Sequence, residues 1–514
     1  MSDGTSHITL ERLAHELLQL GIQARPQGAD APLVGASCDS RETQPGDLFC
    51  CKGVAFRPAF LANALAAGAR AYLCDQTHAT DLAEVAPQAP ALVVPDAKFR
   101  AAMAHASRLA WGEPDLELPV LGITGTKGKS TAEQMVRAIF DHGSPEPRAG
   151  VMGSIDTFDG IERFESHNTT PEAPELWRHL AHARQSGLDA MVMEVSSQAL
   201  KYDRTLGLRM QVGAFLNIGR DHISPVEHPD FEDYFASKLR IFGQARHALV
   251  NLGTDRLADV LDAAQAAQDL VCFSADGPDP VQGVAPSLWA TDVRSGGGQV
   301  RFVCHTPAWE RELVVGMPGL FNVENALVSV AIAQLAGIDA ERIAAGLAQA
   351  RVPGRMELIG DESDHVIGLV DYAHNKLSYQ RLFASLAQEF PGRKITALFG
   401  CPGNKAQERR AELPQEAARF ADFLIYTEED PAHERVEDIC AEMARNTPAG
   451  TRYVVEPDRE QAIRLAVREA LADPEPSIVC LLAKGDETRQ HRGDEYPAMV
   501  PDGTVFRTAL AELA

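Results

Sequence analysis

The sequence predicts an α/β protein of three domains, with largely parallel sheets in the second and third. Three observations predict it. The chain has 514 residues, more than one hydrophobic core holds, so it divides into about three units. Short apolar runs bounded by turn signals alternate with helical patterns, the order of a parallel sheet with crossover helices. A glycine loop lies between one such strand and the helix after it, a place where α/β folds bind phosphate.

The first unit is read over residues 1–116. Leu10, Leu13, Leu17 and Leu18 give a helical pattern, and Val34 to Asp39 a strand. Pro45-Gly46-Asp47 is a turn signal before the apolar Leu48 to Cys51. A helix over Leu61 to Ala69 leads into a strand over Ala71 to Cys74. The second unit, 117–353, opens with the apolar strand Leu118 to Thr124, the loop Gly125 to Gly128 and a helix over Ser130 to Phe140. Strands follow at Ala190 to Val195, Val212 to Asn217 and Ala248 to Asn251. In the third unit, 354–514, strands at Val366 to Val370, Lys394 to Phe399, Phe423 to Tyr426 and Ser477 to Leu482 alternate with helices. That is a doubly wound pattern, whose ligand contacts belong on the loops at the carboxyl ends of the strands.

Composition narrows the function. With 45% hydrophobic and 23% charged residues, the chain reads as soluble and globular. No apolar run approaches the roughly 20 residues that cross a bilayer. Met1-Ser2-Asp3-Gly4 has no basic or apolar leader character. The expectation is a cytoplasmic protein with no membrane partner. A net charge of −24 argues against a nucleic-acid partner, whose phosphates need a basic face. Nine scattered cysteines with no CxxC spacing read as reduced, buried thiols.

Gly125-Thr126-Lys127-Gly128-Lys129-Ser130-Thr131 is the strongest local signal. Glycines let the backbone approach phosphate oxygens, Lys129 can reach the β- and γ-phosphates, and the Ser130 hydroxyl can bind Mg²⁺. The strict pattern for such loops asks for glycine at position 123, where Ile123 stands. The alternative is a glycine-rich turn. Further along, Glu194 ends an apolar strand, where a carboxylate can hold Mg²⁺ near phosphates. Taken alone, such a Glu is more often solvated, and Lys238 alone reads as a solvated helix lysine. Asn322 and Asn325 alone read as helix caps.

The departure at Ile123 is informative, because T-G-T-x-G-K-S-T after a strand resembles the ATP loop of the Mur ligase family. The resemblance continues in order. Asn217-Ile218-Gly219-Arg220-Asp221-His222 is similar to the family's N-x-x-x-D-H, and Tyr234 to Phe242 to its Y-F-x-x-K-x-x-[LI]-F. Gly319 to Ala326, Val352-Pro353-Gly354-Arg355-Met356-Glu357 and Val370-Asp371-Tyr372-Ala373-His374 resemble its later motifs. The resemblance implies ATP as a substrate and two Mg²⁺ ions, held by Ser130, Glu194, His222 and Lys238. Lys238 would act as a CO₂-derived carbamate, which needs a neutral amine and hence a depressed lysine pKa. Asn322 and Asn325 would lie near the adenine, Arg355 would contact the nucleotide, and Asp371, followed by His374, would bind the ribose. The implied reaction passes a phosphoryl group to a substrate carboxylate. An amine then displaces phosphate from the acyl phosphate.

Asp39-Ser40-Arg41 followed by Pro45-Gly46-Asp47-Leu48-Phe49 resembles the first domain of members that bind UDP-N-acetylmuramoyl-dipeptide, with Ser40 at the uridine. Asn168-Thr169-Thr170-Pro171, Ser196 and Arg204 stand where those members contact the muramoyl-dipeptide. The implied substrate is the alanyl-glutamate dipeptide, and the implied assembly a monomer. Members that add meso-diaminopimelate carry D-N-P-R in the third domain. This chain has Glu429-Asp430-Pro431-Ala432, which removes the arginine and keeps acid, as a distal ammonium would require. Gly403-Asn404-Lys405 to Arg409-Arg410 is similar to lysine-adding members, so Lys405, Arg409 or Arg410 would take the amino acid's α-carboxylate. Ala483-Lys484-Gly485-Asp486-Glu487 stands where many members have G-K-G-H-E, with Asp486 in place of the histidine adding negative charge beside Glu487. L-lysine is the expected substrate. L-ornithine differs by one methylene, worth about 1–3 kcal/mol, and diaminopimelate stays open if His433 or Arg435 stands in for the lost arginine. Competing readings are a folate or cyanophycin ligase, a plain P-loop ATPase, and a nucleotide-binding regulatory relative without catalysis.

Overall fold

The computed structural model describes residues 8–53, 56–166, 168–221, 223–224 and 227–513. The chain divides into two compact units, Met1–Cys272 and Phe273–Ala514. Each is an α/β assembly.

Besides a two-stranded ribbon of Ile8–Thr9 and Pro32–Leu33, the first unit contains a small sheet and a large one. The small sheet holds β1 (Arg25–Gln27), β2 (Gly35–Ser37), β3 (Asp47–Cys50), β4 (Ala71–Asp75) and β5 (Ala91–Val94) in the order β1-β5-β4-β3-β2. β2 to β5 are parallel, and β1 runs antiparallel to β5. Phe49, Leu61, Tyr72, Leu82 and Val93 build its core. The helix Pro58–Ala67 begins on a proline, whose missing N–H costs nothing there, and ends at Gly68 with φ of 110°.

The large sheet is organised around β6 (Val120–Thr124), which feeds α1 (Lys129–Asp141). β7 (Ala149–Met152), β8 (Asp156–Phe158) and β9 (Arg163–Glu165) follow, then α2 (Ala173–Ser186), β10 (Ala190–Glu194), α3 (Ser197–Lys201), β11 (Met210–Phe215), α4 (Phe231–Leu239), β12 (Ala245–Asn251) and β13 (Asp269–Ser274). The strand order is β9-β8-β7-β10-β6-β11-β12-β13. β7, β10, β6, β11 and β12 are parallel, as expected from the alternating pattern. The hairpin β8-β9 is antiparallel and was not expected. Because β6 lies between β10 and β11, with Ile123 opposite Glu194 and Thr124 opposite Phe215, three loops leave the sheet side by side. That juxtaposition sets the glycine loop beside Glu194 and Asn217.

The second unit begins with an antiparallel meander, β14 (Leu288–Gly296), β15 (Gln299–His305) and β16 (Glu310–Val315), which the sequence reading left out. Its signal was present: Val300, Phe302 and Cys304 are buried at every second position. Two helices, Asn322–Leu335 and Ala340–Gln349, follow. A doubly wound sheet then holds β17 (Glu357–Ile359), β18 (Val366–Asp371), β19 (Lys394–Phe399), β20 (Phe423–Tyr426), β21 (Tyr453–Val455) and β22 (Ser477–Leu482), ordered β17-β18-β22-β19-β20-β21. All but β17 are parallel. Apolar clusters cover both faces, one around Tyr379 and Phe383, the other around Ile463 and Phe506. The nine cysteines are free thiols, Cys38 half-buried and the others buried. Among the described residues, no helix is long and apolar enough to cross a membrane.

Candidate active site

The loop after β6 is held from below by its neighbours. Thr126 N–H donates to the Asn217 carbonyl at 3.0 Å. The Asn217 side chain accepts from Lys127 N–H at 2.9 Å and donates to Lys127 O at 3.1 Å. A Cβ at Gly125 would lie 3.0 Å from the Leu216 side chain, so the close approach of the two loops leaves little room for a side chain there. Gly128 has φ of 89° and turns the chain into α1. Lys129 and Ser130 open that helix, and Thr131 behind them is buried.

Two lysines converge on this loop. Lys129 Nζ donates to the Gly125 carbonyl at 3.1 Å, and Lys238 Nζ, from α4, donates to the same oxygen at 3.0 Å. Lys238 is 2% exposed and lies 4.9 Å from the Tyr234 ring centroid, while the Tyr234 hydroxyl bonds Thr126 Oγ1 at 3.0 Å. Burial first, and then the Lys129 charge, push the Lys238 amine well below the ordinary lysine range. Lys127 pairs with Asp221 at 3.4 Å. His222 lies outside the described residues.

Glu194, at the end of β10, is 1% exposed. Ser154 holds it, its N–H donating to Oε1 at 2.7 Å and its hydroxyl to Oε2 at 3.3 Å. The sequence reading missed Ser154, which lies on a loop with no motif of its own. Thr170 donates to Glu194 O at 2.8 Å and accepts from Ser196 N–H at 3.0 Å, while Thr169 bonds Ser154 Oγ at 3.0 Å. Thr169, Thr170 and Ser196 therefore join Glu194 in one network. The Ser196 hydroxyl itself accepts from Ala199 N–H at the start of α3. Arg204 donates to Thr170 O and pairs with Glu172, both at 2.9 Å.

Glu172 was also missed. It pairs with Lys52 at 2.9 Å and Arg100 at 3.7 Å as well as Arg204, gathering three cations from distant segments of this unit. It borders a cavity of about 330 Å³, lined among others by Asp39, Arg41, Lys52, Asn168, Glu172 and Arg178. Ser40 lies beside that lining and is half-buried.

The remaining candidates lie in the second unit. Asn322 and Asn325 are buried at the start of their helix. Asn322 donates to Pro318 O at 2.7 Å, and Asn325 donates to Asn322 Oδ1 at 3.0 Å. Asp371 accepts from Met356 N–H and Ala373 N–H, both at 2.8 Å, which fixes the loop after β18 against the segment carrying Arg355. The Arg355 guanidinium stacks 4.2 Å from the Tyr372 ring centroid and lies 4.0 Å from Asp486. His374 bonds Tyr372 O through Nδ1 at 2.7 Å.

The loops after β19 and β20 touch. A Cβ at Gly403 would sit 1.8 Å from Pro431 O, and Gly403 N–H donates to Asp430 O at 3.0 Å. This brings the segment of Lys405 and Arg409 beside Glu429, Asp430, Pro431 and Ala432. Asp430 and Ala432 adopt φ of 41° and 49°. Burial pushes the Glu429 carboxyl up to about 7, against the pull of Arg409. Lys484, 1% exposed, pairs with Asp430 at 2.9 Å and with Glu487. Burial opposes its charge, but the two carboxylates outweigh burial and raise its pKa. Arg410 is committed elsewhere. Its guanidinium is buried and bonds Glu434 at 2.8 Å, Glu442 at 2.9 Å and Pro402 O at 3.2 Å, so it braces the loop.

Comparison with known proteins agrees with this reading. Residues 123–333 match the Mur ligase middle domain, and residues 354–485 the Mur ligase, glutamate ligase domain. The chain is 36% identical to a UDP-N-acetylmuramyl-tripeptide synthetase of Bifidobacterium longum, over 93% of this chain and 94% of that one. It is 33% identical to the UDP-N-acetylmuramoyl-L-alanyl-D-glutamate--L-lysine ligase of Enterococcus faecalis, over 88% and 87%. A solved UDP-N-acetylmuramoyl-L-alanyl-D-glutamate--2,6-diaminopimelate ligase superposes with a TM-score of 0.64 at 25% identity, over 94% and 95% of the two chains. With its motifs in order and relatives of this similarity along nearly its whole length, the chain belongs to the Mur ligase family.

Proposed function

We propose that this ligase joins L-lysine to UDP-N-acetylmuramoyl-L-alanyl-D-glutamate at the expense of ATP, in the synthesis of a peptidoglycan precursor. The observation that carries the reaction is the convergence of Lys129 and Lys238 on one carbonyl of the phosphate loop. The backbone of Thr126 to Ser130 cradles the phosphates. Lys129 turns from Gly125 O to the γ-phosphoryl oxygens, where its charge offsets the negative charge of transfer. The dipeptide's terminal carboxylate attacks phosphorus, ADP leaves, and the acyl phosphate receives the amine. A tetrahedral intermediate then expels phosphate as the amine gives up its proton.

The residues present fit the two Mg²⁺ ions that the family implies. Glu194 is a buried carboxylate whose oxygens are oriented by Ser154. Burial and the Lys129 charge favour the neutral Lys238 amine, the form that reacts with CO₂, and its carbamylation would set an anion where Lys129 attracts it. Ser130, Glu194, His222 and the Lys238 carbamate would hold the ions, which when bound neutralise charge on the phosphoryl group. The UDP end fits the cavity between Asp39, Arg41 and Arg178, beside the Glu172 hub.

Lysine is favoured by the acidic loop. Ala432 stands where diaminopimelate-adding members carry arginine. Glu429, with its carboxyl near 7, takes on full charge when an ammonium arrives beside it. L-ornithine and meso-diaminopimelate are the alternatives. ADP release measured with each component omitted tests the reading. Turnover should require the UDP-dipeptide and an amino acid together. ATP hydrolysis without the amino acid would indicate an ATPase, and no turnover at all a non-catalytic nucleotide binder.

A further inference from the structure

Behind the cavity that borders Glu172 lies a cluster that the ligase reaction does not use. Asp159 and Glu162 sit on the turn between β8 and β9, and His179 and His182 lie one helical turn apart on α2. One ligand atom from each of the four falls within 4.8 Å of the others. Asp159 and His179 are fully buried, and His182 is 18% exposed at its side chain.

The atoms are divided in a way that suits a cation. Asp159 Oδ1 accepts the N–H groups of Ile161 and Glu162, at 2.9 and 2.7 Å, which fixes the carboxylate. Its Oδ2 faces both imidazoles, 2.6 Å from His179 Nδ1 and 2.9 Å from His182 Nδ1. Glu162 is divided likewise. Its Oε1 takes Arg178 at 3.3 Å, and its Oε2 lies 3.9 Å from His179 Nδ1. A metal-bound histidine commonly offers its other ring nitrogen to a carboxylate. His179 Nε2, buried and without a hydrogen-bond partner, lies 3.7 Å from Glu175 Oε1.

Two imidazoles and two carboxylates balance the charge of a divalent cation and suit zinc. Four ligands at about 2.0–2.2 Å from a tetrahedral zinc are roughly 3.3 Å from one another. The distances of 2.6, 2.9 and 3.9 Å bracket that spacing, and the remaining pairs lie within 4.8 Å, so the four side chains need only close in slightly to seat the ion.

We propose that Asp159, Glu162, His179 and His182 form a structural site for a divalent transition metal of zinc type, which clamps the β8-β9 turn to α2 and stiffens the wall of the substrate cavity. The link to the cavity is direct, since Arg178 of α2 contacts Glu162 and lines it, and Phe164 of β9 lines it while packing on His179 at 5.6 Å between ring centroids.

Zinc bound per chain tests this. The full-length protein is incubated with zinc in millimolar Mg²⁺, desalted and analysed for metal, beside His182→Gln and the half-exposed Glu162→Gln. The wild type should retain one zinc more than either variant and should gain thermal stability on zinc addition that both variants lack. Equal zinc content in all three proteins, or no retained zinc in the wild type, would overturn the proposal and leave the cluster an aspartate hydrogen-bonded to two histidines. Glu162→Gln removes only one charge at the edge of the cluster, so its outcome stands even if His182→Gln fails to fold.

Discussion

Lys129 and Lys238 donate to the same carbonyl oxygen, that of Gly125, at 3.1 and 3.0 Å. Two ammonium groups cannot share one acceptor at this depth without cost, and Lys238 is the one that is fully enclosed. Its amine is held well below the ordinary 10.5 by burial and then by Lys129. Between the depressed folded value and 10.5 the unfolded chain therefore binds a proton that the folded chain does not, and stability rises with pH through that interval. In CO₂-free buffer, Lys238→Met should melt at a higher temperature than the wild type near neutral pH, and its melting temperature should rise less with pH. Activity should move the other way. Lys238→Ala should lose at least about 10²-fold in kcat, with partial recovery in formate or acetate, read by ADP release.

Glu133, on α1, is fully buried, and Oε1 has no hydrogen-bond partner. Burial and then the Glu194 charge push its carboxyl well above 4.5, so the folded protein keeps a proton that the unfolded chain releases. That contribution to stability is complete below pH 4.5 and is lost as pH rises toward the raised folded value. Glu133→Gln, which mimics the protonated acid, should change stability by under about 1 kcal/mol at acidic pH and flatten the fall above it. Urea titrations across pH read both.

Gly153 packs onto that carboxyl, and a Cβ there would lie 2.4 Å from Glu133 Oε2. Gly153→Ala should cost about 1–3 kcal/mol by overpacking. Because Ser154 orients Glu194, the same substitution should lower kcat more than it raises KM for ATP. Steady-state kinetics beside a denaturation curve separate the two effects.

Glu172 joins Lys52, Arg100 and Arg204. Glu172→Gln should cost about 1–3 kcal/mol of stability, since three partly buried cations lose their counter-charge together. It should also raise KM for the UDP-dipeptide while leaving KM for ATP near the wild-type value. Unchanged KM for the UDP-dipeptide would separate this hub from the cavity it borders.

Ala432 occupies a left-handed position, with φ of 49°, on the loop after β20, where its N–H donates to His491 O at 3.1 Å. Ala432→Arg restores the cation of the diaminopimelate-adding pattern beside Glu429 and Asp430. It should lower kcat/KM for lysine about tenfold or more and improve that for meso-diaminopimelate. Paired kinetics with the two amino acids check the direction.

Much of this was legible in the sequence, because strands buried on both faces announce themselves as apolar runs. Lys394–Phe399, Phe423–Tyr426 and Ser477–Leu482 were read with the bounds they adopt. The phosphate loop was legible for a local reason, a glycine that must turn left-handed directly before a helix. The meander over Leu288–Val315 was not read, although its inward positions alternate, because its charged outer face breaks up the apolar signal. Ser154 and Glu172 could not be found from spacing, since their partners come from other loops. Arg410 shows the converse: its motif suggested a substrate carboxylate, yet the fold spends its guanidinium on Glu434 and Glu442.

The most direct test of the account is a competition. The enzyme receives ATP, Mg²⁺, UDP-N-acetylmuramoyl-L-alanyl-D-glutamate and equal concentrations of L-lysine, L-ornithine and meso-diaminopimelate, and the nucleotide products are weighed by mass spectrometry. The lysine-bearing tripeptide should dominate. A dominant diaminopimelate product would contradict the reading of Glu429, Asp430 and Ala432, and the absence of any tripeptide would contradict the ligase assignment itself.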